Sequence, residues 1–341
     1  MSNNSERIIL VTGATGQQGG AVYRHLQNKG YKLRAVVRDP NGNKARRLME
    51  HGGEVYQGSL DDPDSLMHAM DGVYGVFSVQ PYTANEIQQG LAVVNAAKRR
   101  GVGHLVYSSI GAAEEDTGIP HFKTKAKVEE HLRSSGLRYT ILRPVFFMEN
   151  WLRMFGYWGE PIRKGQVKQP LSPTTNLQMI AVDDIGAFAA LAFGDPDKWK
   201  DRTFPLAGDE LSMRQIADAF SRLTSQDVKY VQVSWDQFEK KMGQEMTVMY
   251  RWFGEKGFHY DVEQVRREYL QTHTFIRWLE AYWNTNHVAQ KLSDDRNNIH
   301  AGKLVHRARG DVERPTVDAR VARHGRAQQG QVTGNRRPRA V

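Results

Sequence analysis

Ile8-Ile9-Leu10-Val11 is a short apolar run that ends in glycines, the pattern of a parallel strand buried on both faces. Ala21, Leu26 and their neighbours then carry a helix to Lys29-Gly30, where the glycine suits a C-terminal cap. Leu33 to Val37 reads as a second strand, Asn43 to Glu50 as a helix and Val55-Tyr56 as a short third strand. The unit repeats with a helix over Asp62 to Met70, acidic at its start to match the helix dipole, and an apolar strand over Val73 to Val79. The next helix sets Ile87, Leu91 and Val94 on one face at i, i+4 and i+7. His104 to Tyr107 gives a fifth strand, Lys125 to Arg133 a helix, and Tyr139 to Leu142 a sixth strand. Strands alternating with helices predict βαβ units on a doubly wound parallel sheet with right-handed crossovers.

After about Pro144 the alternation loosens. Gly159 to Pro173 reads as loop, Asp183-Asp184-Ile185 through Phe193 as an apolar helix with an acidic start, and Thr203 to Leu206 as a strand. Ser212-Met213-Arg214-Gln215 is a capping box for a helix with Ile216, Phe220 and Leu223 on one stripe. Tyr230 to Val233 alternates as a strand does, and 235–283 is helical in tendency, holding Trp235, Trp252, Trp278 and Trp283. The predicted organisation is a first domain over 1–155 to which 179–208 returns, a smaller α/β lobe over 156–284 for a substrate or partner, and a tail over 285–341.

Charge and composition refine that picture. The chain of 341 residues has no Cys, which excludes disulfides, a thiolate metal site and a Cys nucleophile and fits a reducing compartment. Its start lacks a secretory signal pattern and no stretch is apolar enough to span a bilayer, so a cytoplasmic protein with no membrane partner is expected. The net charge of +9 sits mostly in 285–341, which hold 12 Lys+Arg against 5 Asp+Glu, whereas the remainder has 35 against 33. That tail has no Phe, Trp or Tyr and no sustained periodicity, so it is expected to be disordered. A basic arm for nucleic acid is a weak reading, because nothing in it stacks on bases. A shifted frame or readthrough would leave the same composition.

The sharpest chemical signal is the Gly-x-x-Gly-x-x-Gly run Gly13-Ala14-Thr15-Gly16-Gln17-Gln18-Gly19 between the first strand and helix. Gly13 permits the tight turn, Gly16 lets the backbone approach a pyrophosphate, and Gly19 allows close helix–sheet packing. Thr15, Gln17 and Gln18 complete a cradle in which free N–H groups at the helix start face the phosphates. At the end of strand two, where NAD-binding proteins place an acid, this chain has Arg38, 19 residues after Gly19. A guanidinium there suits a 2′-phosphate, and Lys44 can add a second charge, so NADP(H) is expected in preference to NAD(H).

With the segments Val36-Val37-Arg38-Asp39-Pro40, Leu105-Val106-Tyr107-Ser108-Ser109, Pro120 to Lys125, Leu142-Arg143-Pro144 and Val182-Asp183-Asp184-Ile185-Gly186, this fingerprint resembles the NmrA-like proteins, atypical members of the short-chain dehydrogenase/reductase superfamily. The resemblance spans about residues 7–283 and implies a Rossmann-like fold. It implies that Ser59 and Leu60 line the adenine, that Val79 and Gln80 lie along the cofactor, and that Phe146 and Phe147 flank the nicotinamide. Active short-chain dehydrogenases use Tyr-x-x-x-Lys on one helical face; the matching pair here is His121 and Lys125. Lys125 can still hold the nicotinamide ribose, but the usual proton donor is replaced. An imidazolium beside Lys125 and an oxidised nicotinamide would be opposed by like charge, and a neutral imidazole is a poor acid. His121 is read equally well as a surface histidine at a helix start.

The resemblance and the missing tyrosine favour an NADP(H)-binding, redox-responsive regulatory or sensor protein that meets a protein partner, possible as a homodimer. The alternative is an NADPH-dependent oxidoreductase acting on a quinone or other small electrophile. No metal-ligand spacing is present among the 12 His.

Overall fold

The computed structural model describes residues 4–153, 162 and 164–282. The chain divides into Met1–Asn284 and Thr285–Val341, and the described residues all belong to the first unit. The expected disorder of 285–341 falls outside the described residues.

Seven strands form one parallel sheet in the order β10-β6-β5-β4-β1-β2-β3. They are β1 Ile8–Thr12, β2 Lys32–Val37, β3 Glu54–Gln57, β4 Gly75–Ser78, β5 His104–Ser108, β6 Tyr139–Pro144 and β10 Arg202–Leu206. Between them run α1 Gln17–Gln27, α2 Asn43–Glu50, α3 Pro63–Ala69, α4 Glu86–Arg99 and α5 Pro120–Ser134, close to the predicted places except that α5 begins five residues before Lys125, at Pro120. The central strands are closed to solvent on both faces: Leu10, Val76, Leu105, Tyr107 and Ile141 pack with α3, α4 and α5, whereas Ile9, Val11, Phe77, Val106 and Leu142 pack on the opposite side. That opposite side is covered by α1 and by α7, Val182–Gly194, which lie against each other so tightly that a methyl on Gly186 would sit 2.7 Å from the Ala21 carbonyl carbon.

After β6 the chain forms β7 Phe146–Phe147 and α6 Asn150–Arg153, then β8 Gln166–Gln169 and β9 Asn176–Ile180. After α7 come α8 Pro196–Trp199, β10, β11 Asp209–Ser212, α9 Met213–Thr224 and β12 Lys229–Gln232. The series ends with α10 Trp235–Met242, α11 Gln244–Glu255, α12 Val262–Glu268 and a helical run over 275–282. β11, β9 and β7 make a three-stranded sheet, and β12 pairs in parallel with β8. β8 lies inside the stretch read as loop, part of which is undescribed; a four-residue strand between Gly165 and Pro170 leaves little alternation to detect. The capping box at Ser212 forms, with the Ser212 hydroxyl accepting from the Gln215 N–H and the Gln215 side chain accepting from the Ser212 N–H. The aromatic content of this part forms a continuous cluster in which Phe146 meets Trp151, Tyr250 and Phe253.

α4 departs from its apolar stripe. Its fully buried positions include Glu86 and Gln89, while Ile87 and Leu91 are only half-buried. The helix turns two polar side chains inward because each has work there: Glu86 pairs with a buried lysine, and Gln89 reaches the cleft described next.

Candidate functional site

The strand order reverses between β1 and β4, and at this switch point in a doubly wound sheet a crevice opens beyond the carboxyl ends of the strands. A cleft of about 920 Å³ occupies it here, lined by the turn after β1, by Arg38 after β2, by Gly58 to Asp61 after β3, by Val79 to Thr83 after β4 and by Phe147. The Thr12 hydroxyl clasps the two central strands at its floor, donating to the Val79 carbonyl at 3.0 Å and accepting from the Val79 N–H at 2.8 Å.

The glycine turn has the geometry its spacing predicts. Gly13 takes φ +62°, a region that costs other residues energy, and a Cβ there would lie 3.0 Å from the Val79 side chain. The Gly16 N–H donates to the Gly13 carbonyl at 2.8 Å, and a Cβ on Gly19 would fall 2.3 Å from that same oxygen. α1 starts at Gln17 behind an extended Gly16 with no side-chain cap, so its first N–H groups face the cleft without a side-chain acceptor. This donor-rich, methyl-free start fits a diphosphate. Gln80 adds a second sign of fit: it is 5% exposed, donates to the Ser78 hydroxyl at 2.8 Å, and leaves its own carbonyl oxygen unpaired among the described residues.

Of the residues singled out from the sequence, Gly13, Thr15, Gly16, Gln17, Gln18, Gly19, Arg38, Ser59, Leu60, Val79, Gln80 and Phe147 all line this one cleft. Lys44, Phe146, His121 and Lys125 do not line it. The Lys44 ammonium donates to the Thr15 carbonyl at 3.1 Å and so braces the glycine turn from outside. Phe146 is buried in the aromatic cluster. Lys125 is turned to the buried Glu86, 2.8 Å away, and Glu86 also accepts from the Thr124 hydroxyl. Burial pulls the Lys125 amine below its ordinary value, and the Glu86 carboxylate opposes that pull. The Ser108 hydroxyl is spent on the Gln18 side chain at 2.5 Å.

His121 stands behind the cleft wall. Its Nδ1 lies 2.7 Å from a Glu245 carboxylate oxygen, and the Tyr82 hydroxyl donates to both oxygens of the same carboxylate at 2.8 and 2.6 Å. The Tyr82 ring meets the imidazole edge-on at 5.3 Å between centroids. Tyr82 lines the cleft, so one carboxylate from α11 joins a cleft residue to the histidine. The hydrogen bond to Glu245 is the main reason the Tyr82 phenol is pushed up to about 12. On Glu245 burial resists charge, and the hydrogen bonds from Tyr82 and His121 outweigh it, holding the carboxyl below its usual range.

Sequence reading missed Tyr82, Glu86, Gln89, Asp61 and Glu245. Asp61 lines the cleft, and hydrogen bonds from Gln89 at 3.0 Å and Asn85 at 3.2 Å hold its carboxyl low. The closeness of Tyr82 to the β4 end was a usable signal, whereas nothing local marked Glu245.

Sheet order, switch point and methyl-free turn define a doubly wound α/β protein of the NAD(P)-binding fold class. The NmrA-like family model matches residues 5–279, and the chain belongs to that family. It is 32% identical over 237 residues to an NAD(P)H azoreductase of Xenophilus azovorans, covering 69% of this chain and 80% of that protein. NmrA, a negative transcriptional regulator solved in complex with NADP, superposes with a TM-score of 0.72 at 22% identity, covering 84% of this chain and 98% of that one. The NADPH-dependent quinone oxidoreductase QOR2 of Escherichia coli, complexed with NADPH, gives 0.70 at 23% identity, covering 81% and 99%. Among the described residues no helix is long and apolar enough to cross a membrane, and no cluster of His, Asp and Glu is arranged to hold a metal.

Proposed function

We propose that this protein binds NADP(H) in the cleft and uses the bound NADPH to reduce a small electrophile such as a quinone or an azo compound. The observation that carries the choice of nucleotide is Arg38, an exposed guanidinium on the cleft wall with no hydrogen bond or salt bridge among the described residues. It stands at the end of β2, where the adenosine ribose of a dinucleotide seated on the glycine turn belongs, and a guanidinium matches an extra phosphate there in charge and shape.

The reductive reading is supported by the azoreductase relative and by a change in the charge argument. The sequence set an imidazolium at His121 against the positive charge of Lys125. In the folded chain Lys125 is paired with Glu86 and the His121 ring faces Glu245, so each has its own carboxylate. Repulsion from Lys125 no longer argues against a proton-donating role for His121.

A second reading, a regulatory protein whose nucleotide occupancy biases a surface that meets a protein partner, is favoured by Lys125 being turned away from the cleft and by the shared fold of NmrA. The discriminating experiment measures loss of NADPH absorbance against a panel of quinones, azo dyes and aldehydes, beside calorimetric binding of NADPH and NADH to the same sample. Turnover well above the enzyme-free rate supports the reductase. Tight NADPH binding with no turnover on any compound overturns it in favour of the regulator, and no heat with either nucleotide overturns both.

A further inference from the structure

We infer that Tyr82 is a platform on which a flat, conjugated electron acceptor stacks, so that this site takes planar aromatic acceptors such as naphthoquinones and aryl azo compounds. The inference deepens the reductive reading above and rests on it.

The observation that carries it is an exposed ring that is held still. Among the described residues five large apolar side chains are more than a third exposed, and Tyr82, at 59%, is the one of them that lines the cleft. A lone exposed hydrophobic side chain is ordinary. This one is fixed from two sides, with its hydroxyl on both oxygens of the Glu245 carboxylate at 2.8 and 2.6 Å and its ring against the His121 imidazole, inclined by 60° to it. Those contacts secure the polar end and one part of the ring, and the rest stays open. Holding a side chain in one rotamer costs entropy. A ring ordered before its partner arrives no longer has to be ordered on binding, which favours the complex.

The partners of Tyr82 place it in the cleft. Arg38 follows β2 on one side of the switch point and Phe147 follows β6 on the other, and both line the cleft. Tyr82 is tied to the Phe147 side, because His121 lies at the start of α5, which follows β5, and Glu245 at the start of α11. A dinucleotide with its extra phosphate at Arg38 and its diphosphate on the glycine turn extends its reactive ring toward that side. Tyr82 and Phe147 therefore present aromatic surface to an acceptor that comes to meet that ring, and aromatic pairs gain from offset or edge-to-face contact beyond the area they bury. The hydroxyl is bound to a carboxylate that pushes the phenol up to about 12, so the side chain works as a neutral surface and not as an acid.

The test uses the full-length chain, with 1,4-naphthoquinone as acceptor and anthraquinone-2-sulfonate as a flat ligand titrated by calorimetry into the NADP⁺-loaded protein. Tyr82→Leu keeps an apolar side chain and removes the π-face, whereas Tyr82→Phe keeps the face and removes the anchor on Glu245. An aromatic pair is worth roughly threefold to tenfold in a binding constant. Tyr82→Leu should raise KM for naphthoquinone and Kd for anthraquinone-2-sulfonate by about that factor, while KM for NADPH and the urea midpoint change little. Tyr82→Phe should recover most of both losses. If Tyr82→Leu moves neither constant, if KM for NADPH rises by the same factor, or if Tyr82→Phe loses as much as Tyr82→Leu, the platform is overturned and reduction stands. If the unmodified chain binds NADPH but reduces no acceptor, the reductive reading falls and takes the platform with it.

Discussion

Arg38 and the glycines act at the scale of single residues, and they fail in different ways when changed. Arg38→Ala removes an exposed guanidinium that has no hydrogen bond or salt bridge among the described residues, so the fold should be untouched. A charge-assisted hydrogen bond is worth about 1.5–3 kcal/mol, so NADPH affinity should drop roughly tenfold to a hundredfold with NADH affinity unchanged, which titration calorimetry would read directly. Equal losses for both nucleotides would show that Arg38 is not the phosphate contact. The residues recovered from sequence are those whose job is written in their immediate neighbours: a glycine turn needs only its own backbone, and Arg38 only the end of its strand. Glu245 could not be found that way, because 124 positions separate it from His121 and only the packing of α11 against the start of α5 brings them together. Glu86 was hidden for a second reason. A carboxylate in an otherwise amphipathic helix reads as solvent-facing, and its 1% exposure makes sense only once Lys125 and Thr124 are seen beside it.

At the scale of elements, two seams hold the sheet's helices. α1 and α7 meet at Gly186, where a methyl would be 2.8 Å from the Ala21 carbonyl oxygen, and Asp183 closes the seam by accepting from His25 at 2.9 Å and Arg24 at 3.2 Å. Overpacking a seam of this kind costs about 1–3 kcal/mol, so Gly186→Ala should lower the thermal midpoint. Because α1 carries the end of the glycine turn, NADPH binding should weaken with it. On the other face, Glu129 is 1% exposed and grips Arg143 through both oxygens at 2.9 and 2.6 Å, tying α5 to β6. Removing one partner of a buried ion pair is destabilising, and because Arg143 keeps Glu114 beside it, Glu129→Ala should lower the urea midpoint by less than the loss of an isolated buried pair.

Two histidines respond to pH with opposite signs. His104 in β5 is fully buried, with Nε2 2.9 Å from the Thr140 hydroxyl and Nδ1 unpartnered among the described residues; burial, and secondarily Arg138, pulls its value down to about 4. The unfolded chain protonates first as pH falls below about 6.5, so stability is full above that value and declines toward pH 4, by about 3 kcal/mol in all. His273, hydrogen-bonded to Asp184, is raised, so its contribution is present at lower pH and lost as pH rises through its folded value. His104→Gln should flatten the decline of the urea midpoint between pH 7 and 5; an unchanged slope would assign that decline to other groups.

For the whole molecule, the family match ends at residue 279 and the first structural unit at Asn284, while most of the net positive charge lies beyond. Removing 285–341 should therefore leave NADPH affinity and the unfolding midpoint unchanged, which calorimetry and urea titration would check; a large loss of affinity would mean that the tail contacts the cleft.

The β6–β10 pairing carries a further consequence for how the chain is made. β10 docks in parallel along Thr140 to Pro144 only after the chain has travelled through β7, β8, β9 and α7. A growing polypeptide that has left the ribosome only as far as residue 201 therefore presents β6 as an open edge with its ladder unsatisfied. Exposed edges of this sort recruit other chains, and pairings that must wait for distant sequence form slowly. Synthesis interrupted before Arg202 should yield a chaperone-dependent, aggregation-prone fragment, and completion of that last rung should release it.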